Sequence, residues 1–195
     1  MPAFVFVEDS TPQSAATRFR GVAGRFTEVA AGVSPDQWNN PTPCTGWVAR
    51  DVVSHLVEWV PAFLAEGAGL QFAEMPSVAD DPAAAWAVLN RELQNVLDDP
   101  TTVNHEFNHP RAGTHPLDRA IVGFILGDVL VHTWDLARAT GQDETLDATE
   151  VRRMREGLET LGDALSKSGH YNVPVTVPAD ADEQTRMLAL TGRNP

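Results

Sequence analysis

The chain has 195 residues, and its 14 lysine and arginine residues against 27 aspartate and glutamate residues give a formal net charge of −13. This charge has the wrong sign for a protein that follows phosphate backbones or anionic lipid, so we expect neither a nucleic-acid nor a membrane partner. With 43% hydrophobic residues the chain can form a core, and its single cysteine excludes an internal disulfide framework and a zinc site built from several thiolates.

The first half of the chain shows three helical segments. Thr11 and Pro12 predict the cap and first residue of a helix that ends near Gly32, and residues 34–38 predict a short helical turn. A second helix is expected over residues 47–66. A third is expected to begin with the cap Asp81 and to end at about residue 98.

The second half is also predominantly helical. Residues 103–113 show no long period and are expected to be loop or extended chain. A fourth helix is predicted from about residue 116 to Thr140, with Gly141 as its stop, and a fifth over residues 149–166 with the cap Asp147. Residues 171–177 look extended and 181–190 helical. The pattern predicts one all-α domain over residues 1–195, a four-helix bundle with short accessory helices.

The cellular location of the protein is predicted from its apolar segments, which resemble neither a secretion signal nor a membrane-spanning helix. The first residues have no basic start, long apolar run or cleavage site, so we expect no secretion signal. The longest nearly uncharged stretch, residues 120–134, is too short to span a bilayer and contains Asp128 and His132. We therefore expect a cytoplasmic protein, and we expect it to form a homodimer because small helical bundles often do.

The fourth helix contains an ionisable pair in an otherwise apolar stretch. Asp128 and His132 are four residues apart and therefore lie on the same helix face, where a buried carboxylate needs a partner. Two interpretations stay open: a mutual hydrogen bond within a buried polar network, or a divalent metal. For a metal, His55 is the third ligand because it lies on the apolar face of the second helix, although an isolated histidine of this kind is more often an ordinary core residue. Asp51 and Asp135 could orient the imidazoles.

Other side chains are candidates for the surroundings of such a site. Trp59 and Trp134 could form the wall of a pocket, and His115 could face it from the start of the fourth helix. The roles of Cys44 and of the cluster His105, His109 and His115 stay open at this point, with packing at the helix entry favoured for Cys44.

Three segments of the chain carry a family resemblance. Residues 41–56, PTPCTGWVARDVVSHL, resemble the signature TPC..W...D...HL of the mycothiol-dependent maleylpyruvate isomerase group within the DinB-like metal-binding superfamily. Residues 127–137, GDVLVHTWDLA, resemble its second signature, and residues 182–193, DEQTRMLALTGR, resemble the tail of its short, single-domain members.

The resemblance implies a DinB-like four-helix bundle that binds a divalent ion through His55, Asp128 and His132. Zinc is the first choice and nickel the alternative. It also implies a metal-activated thiol, mycothiol or bacillithiol, for S-transfer or isomerisation of a small-molecule substrate. The isomerase has glutamate in place of Asp128 and a further C-terminal domain for which 195 residues leave no room, so the metal site carries over better than the reaction. The rival hypotheses are a non-catalytic metal- or small-molecule-binding bundle and a metal-free interaction domain.

Overall fold

The computed structural model describes residues 13–162 and 171–195, which are mostly helical. The chain divides into two compact units, Gln13–Glu144 and one that contains Thr145–Pro195. The first unit holds α1 (Ala15–Ala31), α2 (Ala49–Ala68), α3 (Pro82–Asp98), α4 (Leu117–Ala120) and α5 (Gly127–Thr140), and the second holds α6 (Ala148–Leu161) and α7 (Glu183–Leu190). The predicted all-α class is confirmed, with one small two-stranded sheet in addition.

Helix α1 begins at Ala15 because the Ser14 hydroxyl accepts a hydrogen bond from the backbone N–H of Thr17 at 3.2 Å. The predicted cap Thr11 and its neighbour Pro12 lie outside the described residues. The helix buries one apolar face, Phe19, Val22, Ala23, Phe26, Val29 and Ala30. A short 3-10 helix, Gln37–Asn39, follows where a helical turn was predicted.

Helices α2 and α3 confirm the predicted segments with small shifts at their ends. Helix α2 begins two residues later than predicted and ends at a left-handed Gly69 with φ of 67°. Helix α3 begins with Pro82 after the cap Asp81, whose side chain accepts a hydrogen bond from the backbone of Ala84. Helices α1 and α2 each pack against both α3 and α5.

A β-hairpin, β1 (Glu106–His109) and β2 (Gly113–Pro116), occupies a segment predicted to be loop or extended chain. Its strands have only four residues each, too few to show the alternation of apolar and polar residues that predicts a strand. The turn is held locally because His109 Nδ1 accepts hydrogen bonds from two backbone N–H groups, those of Arg111 and Ala112. The hairpin packs on α2 at Gly67, where an added Cβ would lie 2.0 Å from the Phe107 ring.

The predicted fourth helix is continuous from Leu117 to Thr140 and ends before Gly141, which has φ of 67°. Its middle is a π-helical segment, Ile121–Leu126, between α4 and α5. A π turn holds more residues than an α turn, so the segment rotates the side chains that precede it relative to those of α5. By length and composition this helix could cross a membrane, but 72% of its most apolar window is buried, as in the core helix of a soluble protein.

In the described part of the second unit, α6 and α7 pack against each other. Asp147 and Asp182 cap the two helices, and Arg155 joins them through a hydrogen bond of 2.7 Å from Nε to Glu183. Helix α6 was expected to reach residue 166 but ends at Leu161, and residues 163–170 lie outside the described part of the chain. Residues 171–177 were expected to be extended, and among the described residues they belong to no helix or paired strand.

Candidate metal centre

The segment between the 3-10 helix and α2 is anchored to the end of α5. The Asn40 side chain donates a hydrogen bond of 2.9 Å to the carbonyl of Ala139, and the backbone N–H of Ala49 donates to the carbonyl of Asn40 at 2.9 Å. Pro41 and Val48 form an isolated antiparallel bridge that closes the loop between them. We call residues 40–48 the entry loop. Its anchoring brings the start of α2 and the residues of this loop next to α5.

Three side chains from α2 and α5 meet in what we call the outer triad, His55, Asp128 and His132. Asp128 lies between the two imidazoles: its Oδ2 is 3.0 Å from His55 Nε2 and its Oδ1 is 3.4 Å from His132 Nε2. One donor atom from each residue lies within 4.8 Å of the others. His55 and Asp128 are 31% and 23% exposed, whereas His132 is 5% exposed, so the triad opens to the surface on one side.

Two tryptophans surround the outer triad. The indole N–H of Trp59, one turn after His55 on α2, donates a hydrogen bond of 2.9 Å to Asp128 Oδ2. The ring of Trp47, from the entry loop, stacks on His132 with centroids 5.7 Å apart and also contacts His55 at 5.1 Å. The rings therefore restrict how the two imidazoles can turn.

His132 also belongs to a second cluster, the inner triad of Cys44, His132 and Asp135. His132 Nδ1 lies 2.9 Å from Asp135 Oδ2, and the Cys44 thiol donates a hydrogen bond of 3.3 Å to the same oxygen. Asp135 is fully buried. The donor atoms of the inner triad also lie within 4.8 Å of one another. One imidazole therefore faces Asp128 with Nε2 and Asp135 with Nδ1.

The charges of this region favour a protonated His132 when no cation is bound. Burial alone lowers the pKa of His132, but the negative charge of Asp128, the hydrogen bond to Asp135 and the neighbouring Cys44 thiol together raise it to about 10. Burial alone raises the pKa of Asp128, but the charge of His132 and hydrogen bonds from His55 and Trp59 hold it below its usual value. In the absence of a metal ion these shifts favour an ion pair between the protonated His132 and the partly exposed Asp128.

The donor set fits a first-row divalent ion. Two imidazole nitrogens and a carboxylate oxygen are ligands that zinc accepts, and three protein ligands leave a coordination position open. His132 Nδ1–H would stay on Asp135 while Nε2 faces the ion, which fixes the tautomer needed for ligation. Because Nδ1 is already bonded to Asp135 and the outer triad is partly exposed, the outer triad is the better candidate site.

The remaining predicted site residues lie in different surroundings. Asp51 accepts a hydrogen bond of 2.8 Å from the backbone N–H of Val48, so its carboxylate caps α2. The Trp134 ring is buried beneath the guanidinium of Arg138, 4.4 Å from the ring centroid. His115 hydrogen-bonds to a carbonyl of the hairpin and contacts Phe124.

The histidine cluster before the fourth helix does not act as a unit in the described contacts. His109 is 5% exposed, and its Nε2 lies 3.0 Å from Glu66 of α2, so it joins the hairpin to that helix. The side chain of His105 has no hydrogen bond or ring contact among the described residues, and its backbone N–H bonds to Thr102. We therefore assign His109 to the fold of the hairpin.

Sequence reasoning did not assign Trp47 or Cys44 to the site. Both lie in the entry loop, where no helical period relates them to His132. The available signal was the TPC..W signature, which contains both residues within the segment that leads to His55.

Comparisons with known proteins place the chain in a family. Two uncharacterized proteins of Mycobacterium tuberculosis, Rv0738 of strain H37Rv and MT0763 of strain CDC 1551 / Oshkosh, are each 33% identical over 173 residues, which cover 86% of this chain and 91% of the relative. No solved structure matches the chain. The family described as "mycothiol maleylpyruvate isomerase N-terminal domain" matches residues 19–137, which include α2, the hairpin and both triads. The chain therefore belongs to the mycothiol maleylpyruvate isomerase N-terminal domain family.

Proposed function

We propose that this chain binds a divalent metal ion through His55, Asp128 and His132, with zinc as the first choice and nickel as the alternative. We further propose that the metal-bound protein is a thiol-cofactor-dependent S-transferase or isomerase. The observation that carries the proposal is the outer triad, in which three suitable donor atoms lie within 4.8 Å of one another. The family supports mycothiol as the thiol. The contacts of α1 and α2 with α3 and α5 support a DinB-like four-helix bundle around the site.

Each residue has a defined part in this proposal. His55 Nε2, His132 Nε2 and one Asp128 oxygen hold the ion, and the Trp59 indole N–H orients the Asp128 carboxylate. A divalent ion held there lowers the pKa of a bound thiol or water and so supplies a nucleophile at neutral pH. The partial exposure of His55 and Asp128 leaves access for a small thiol, while the buried His132 remains fixed.

Metal content tests the first part of the proposal. Purified wild-type protein, supplied with zinc or nickel and then freed of loose ions, should contain about one equivalent by elemental analysis. Asp128→Asn and His55→Ala should lose most of it, because each removes a donor. His109→Gln is the matched control, since it replaces a buried histidine that lies outside both triads. Wild type without stoichiometric metal would contradict the proposal.

Thiol transfer tests the second part. Metal-loaded protein should accelerate the reaction of mycothiol with members of an electrophile panel that includes maleylpyruvate, and His55→Ala should not. Stoichiometric metal without turnover above the His55→Ala level would contradict the enzymatic part and favour the second candidate, a non-catalytic metal- or small-molecule-binding bundle. The specific observation behind that candidate is that the geometry supplies metal donors, whereas the thiol assignment comes from the family alone.

A further inference from the structure

We propose that Cys44 is a positioning residue for the metal site, which it reaches through Asp135 and His132. The inference rests on the proposed metal site and goes beyond it, because it assigns a role to the only thiol of the chain. The contacts form a relay: the Cys44 thiol donates to Asp135 Oδ2 at 3.3 Å, and the same oxygen lies 2.9 Å from His132 Nδ1. The far nitrogen of that imidazole faces Asp128.

Burial makes the hydrogen bonds of this relay hard to replace. Asp135 is fully buried and His132 is 5% exposed, so water cannot easily replace either hydrogen bond. A buried carboxylate needs donors on its oxygens, and the thiol supplies one of them to Asp135 Oδ2. Loss of the thiol removes one of the donors that fix the Asp135 carboxylate, and this loosens the orientation of the His132 ring bonded to the same oxygen.

The entry loop holds Cys44 in place for this contact. The Thr42 side chain accepts a hydrogen bond of 3.2 Å from the backbone N–H of Cys44, and the backbone N–H of Thr42 is bonded to the carbonyl of Trp47. The same loop presents Trp47 to the face of the His132 ring. One short segment thus restrains His132 in two ways, by stacking on its face and by fixing the carboxylate at its Nδ1.

The test measures Zn²⁺ affinity by chelator competition and the visible absorption of the Co²⁺-loaded protein in Cys44→Ala and Cys44→Ser. Loss of a partner that orients a metal-binding histidine typically weakens metal binding by about 10- to 100-fold. We expect a loss of about tenfold for Cys44→Ala, with a changed Co²⁺ spectrum. Cys44→Ser should restore most of the affinity because its hydroxyl can donate to Asp135. Thr133→Val is the matched control, since it removes a buried hydroxyl beside His132 that bonds only within α5.

A double-mutant cycle separates the relay from a general structural effect. If Cys44 acts through Asp135, Cys44→Ala should weaken metal binding in the wild-type background and have no further effect in Asp135→Asn. Should Cys44→Ala fail to fold, reversible blocking of this single thiol with a small methanethiosulfonate gives the same comparison on folded protein. Wild-type affinity and spectrum in Cys44→Ala, or equal losses in both backgrounds, overturn the inference. Absence of metal from the wild type in the same assay instead overturns the proposed function.

Discussion

His132 should keep its proton far above the ordinary range of a histidine when the protein is free of metal. Its pKa is raised from 6.5 to about 10 in the folded chain, because the charge of Asp128 and the hydrogen bond to Asp135 together outweigh the opposing effect of burial. The unfolded chain loses this proton near pH 6.5, whereas the folded chain retains it. The unfolded state therefore binds fewer protons between these values, and stability must fall as the pH rises.

The two pKa values set the size of the effect. The stabilisation is complete below pH 6.5 and disappears as the pH rises through about 10. Between about pH 6 and about pH 9 the linkage relation gives a loss of about 3 kcal/mol in the free energy of unfolding. In Asp128→Asn the main source of the shift is removed, so the pKa of His132 should fall and the loss over the same interval should shrink.

The assay uses chelator-treated protein. NMR titration of the histidine ring protons, with His132 assigned by comparison with His132→Gln, measures its pKa directly among the six histidines of the chain. Urea denaturation at about pH 6 and about pH 9 measures the stability of the wild type and of Asp128→Asn. A His132 resonance that titrates near pH 6.5, or the same loss of stability in both proteins, would refute the reasoning.

Three further changes test separate parts of the structure. Gly67→Ala should destabilise the protein by at least ~2 kcal/mol in urea unfolding, because its Cβ would lie 2.0 Å from the Phe107 ring, whereas Gly24→Ala, with open space at its Cβ inside α1, should be stabilising. Trp59→Phe should weaken zinc binding in a chelator competition by about tenfold, because the triad carboxylate loses its indole donor; unchanged affinity would contradict that role. Asp182→Ala should lower the free energy of unfolding by ~1 kcal/mol through the lost helix cap, and Asp182→Asn, which can still cap, by less.

The helix ends that were predictable are those set by adjacent residues. Asp81 with Pro82, Gly141 and Asp147 each fix an end through a local hydrogen bond or a backbone dihedral, and the structure has all three where the sequence indicated them. The hairpin is different, because it depends on the packing of Phe107 against Gly67, far away in sequence. The π-helical segment likewise has no local signal in the sequence.

The same distinction applies to the candidate site. The pair Asp128 and His132 follows from helical spacing, and Trp59 follows from its place one turn after His55. Trp134 is two residues from His132, so it lies on another side of the helix, where Arg138 covers it. Which residues share a face of a helix follows from their spacing in the sequence.

The entry loop could not be placed from sequence, because its position depends on long-range hydrogen bonds. Asn40 reaches Ala139 across 99 residues, and this contact sets where Cys44 and Trp47 meet α5. No local rule relates a loop side chain to a helix so distant in sequence. The two signatures were already expected to meet through His55, Asp128 and His132, and the structure adds that Cys44 and Trp47 lie against the same His132 side chain.

Under the proposed function, the arrangement around His132 links metal binding to folding. Asp128 and Asp135, at i−4 and i+3 from His132, both come from α5, so a single helix supplies the imidazole and the two carboxylates that orient it. His55 comes from α2. An ion bound by both helices must stabilise their contact, whereas the metal-free protein relies on the ion pair and its proton. Metal should therefore raise the thermal stability most at high pH, where the proton is lost and the competition for His132 is weakest.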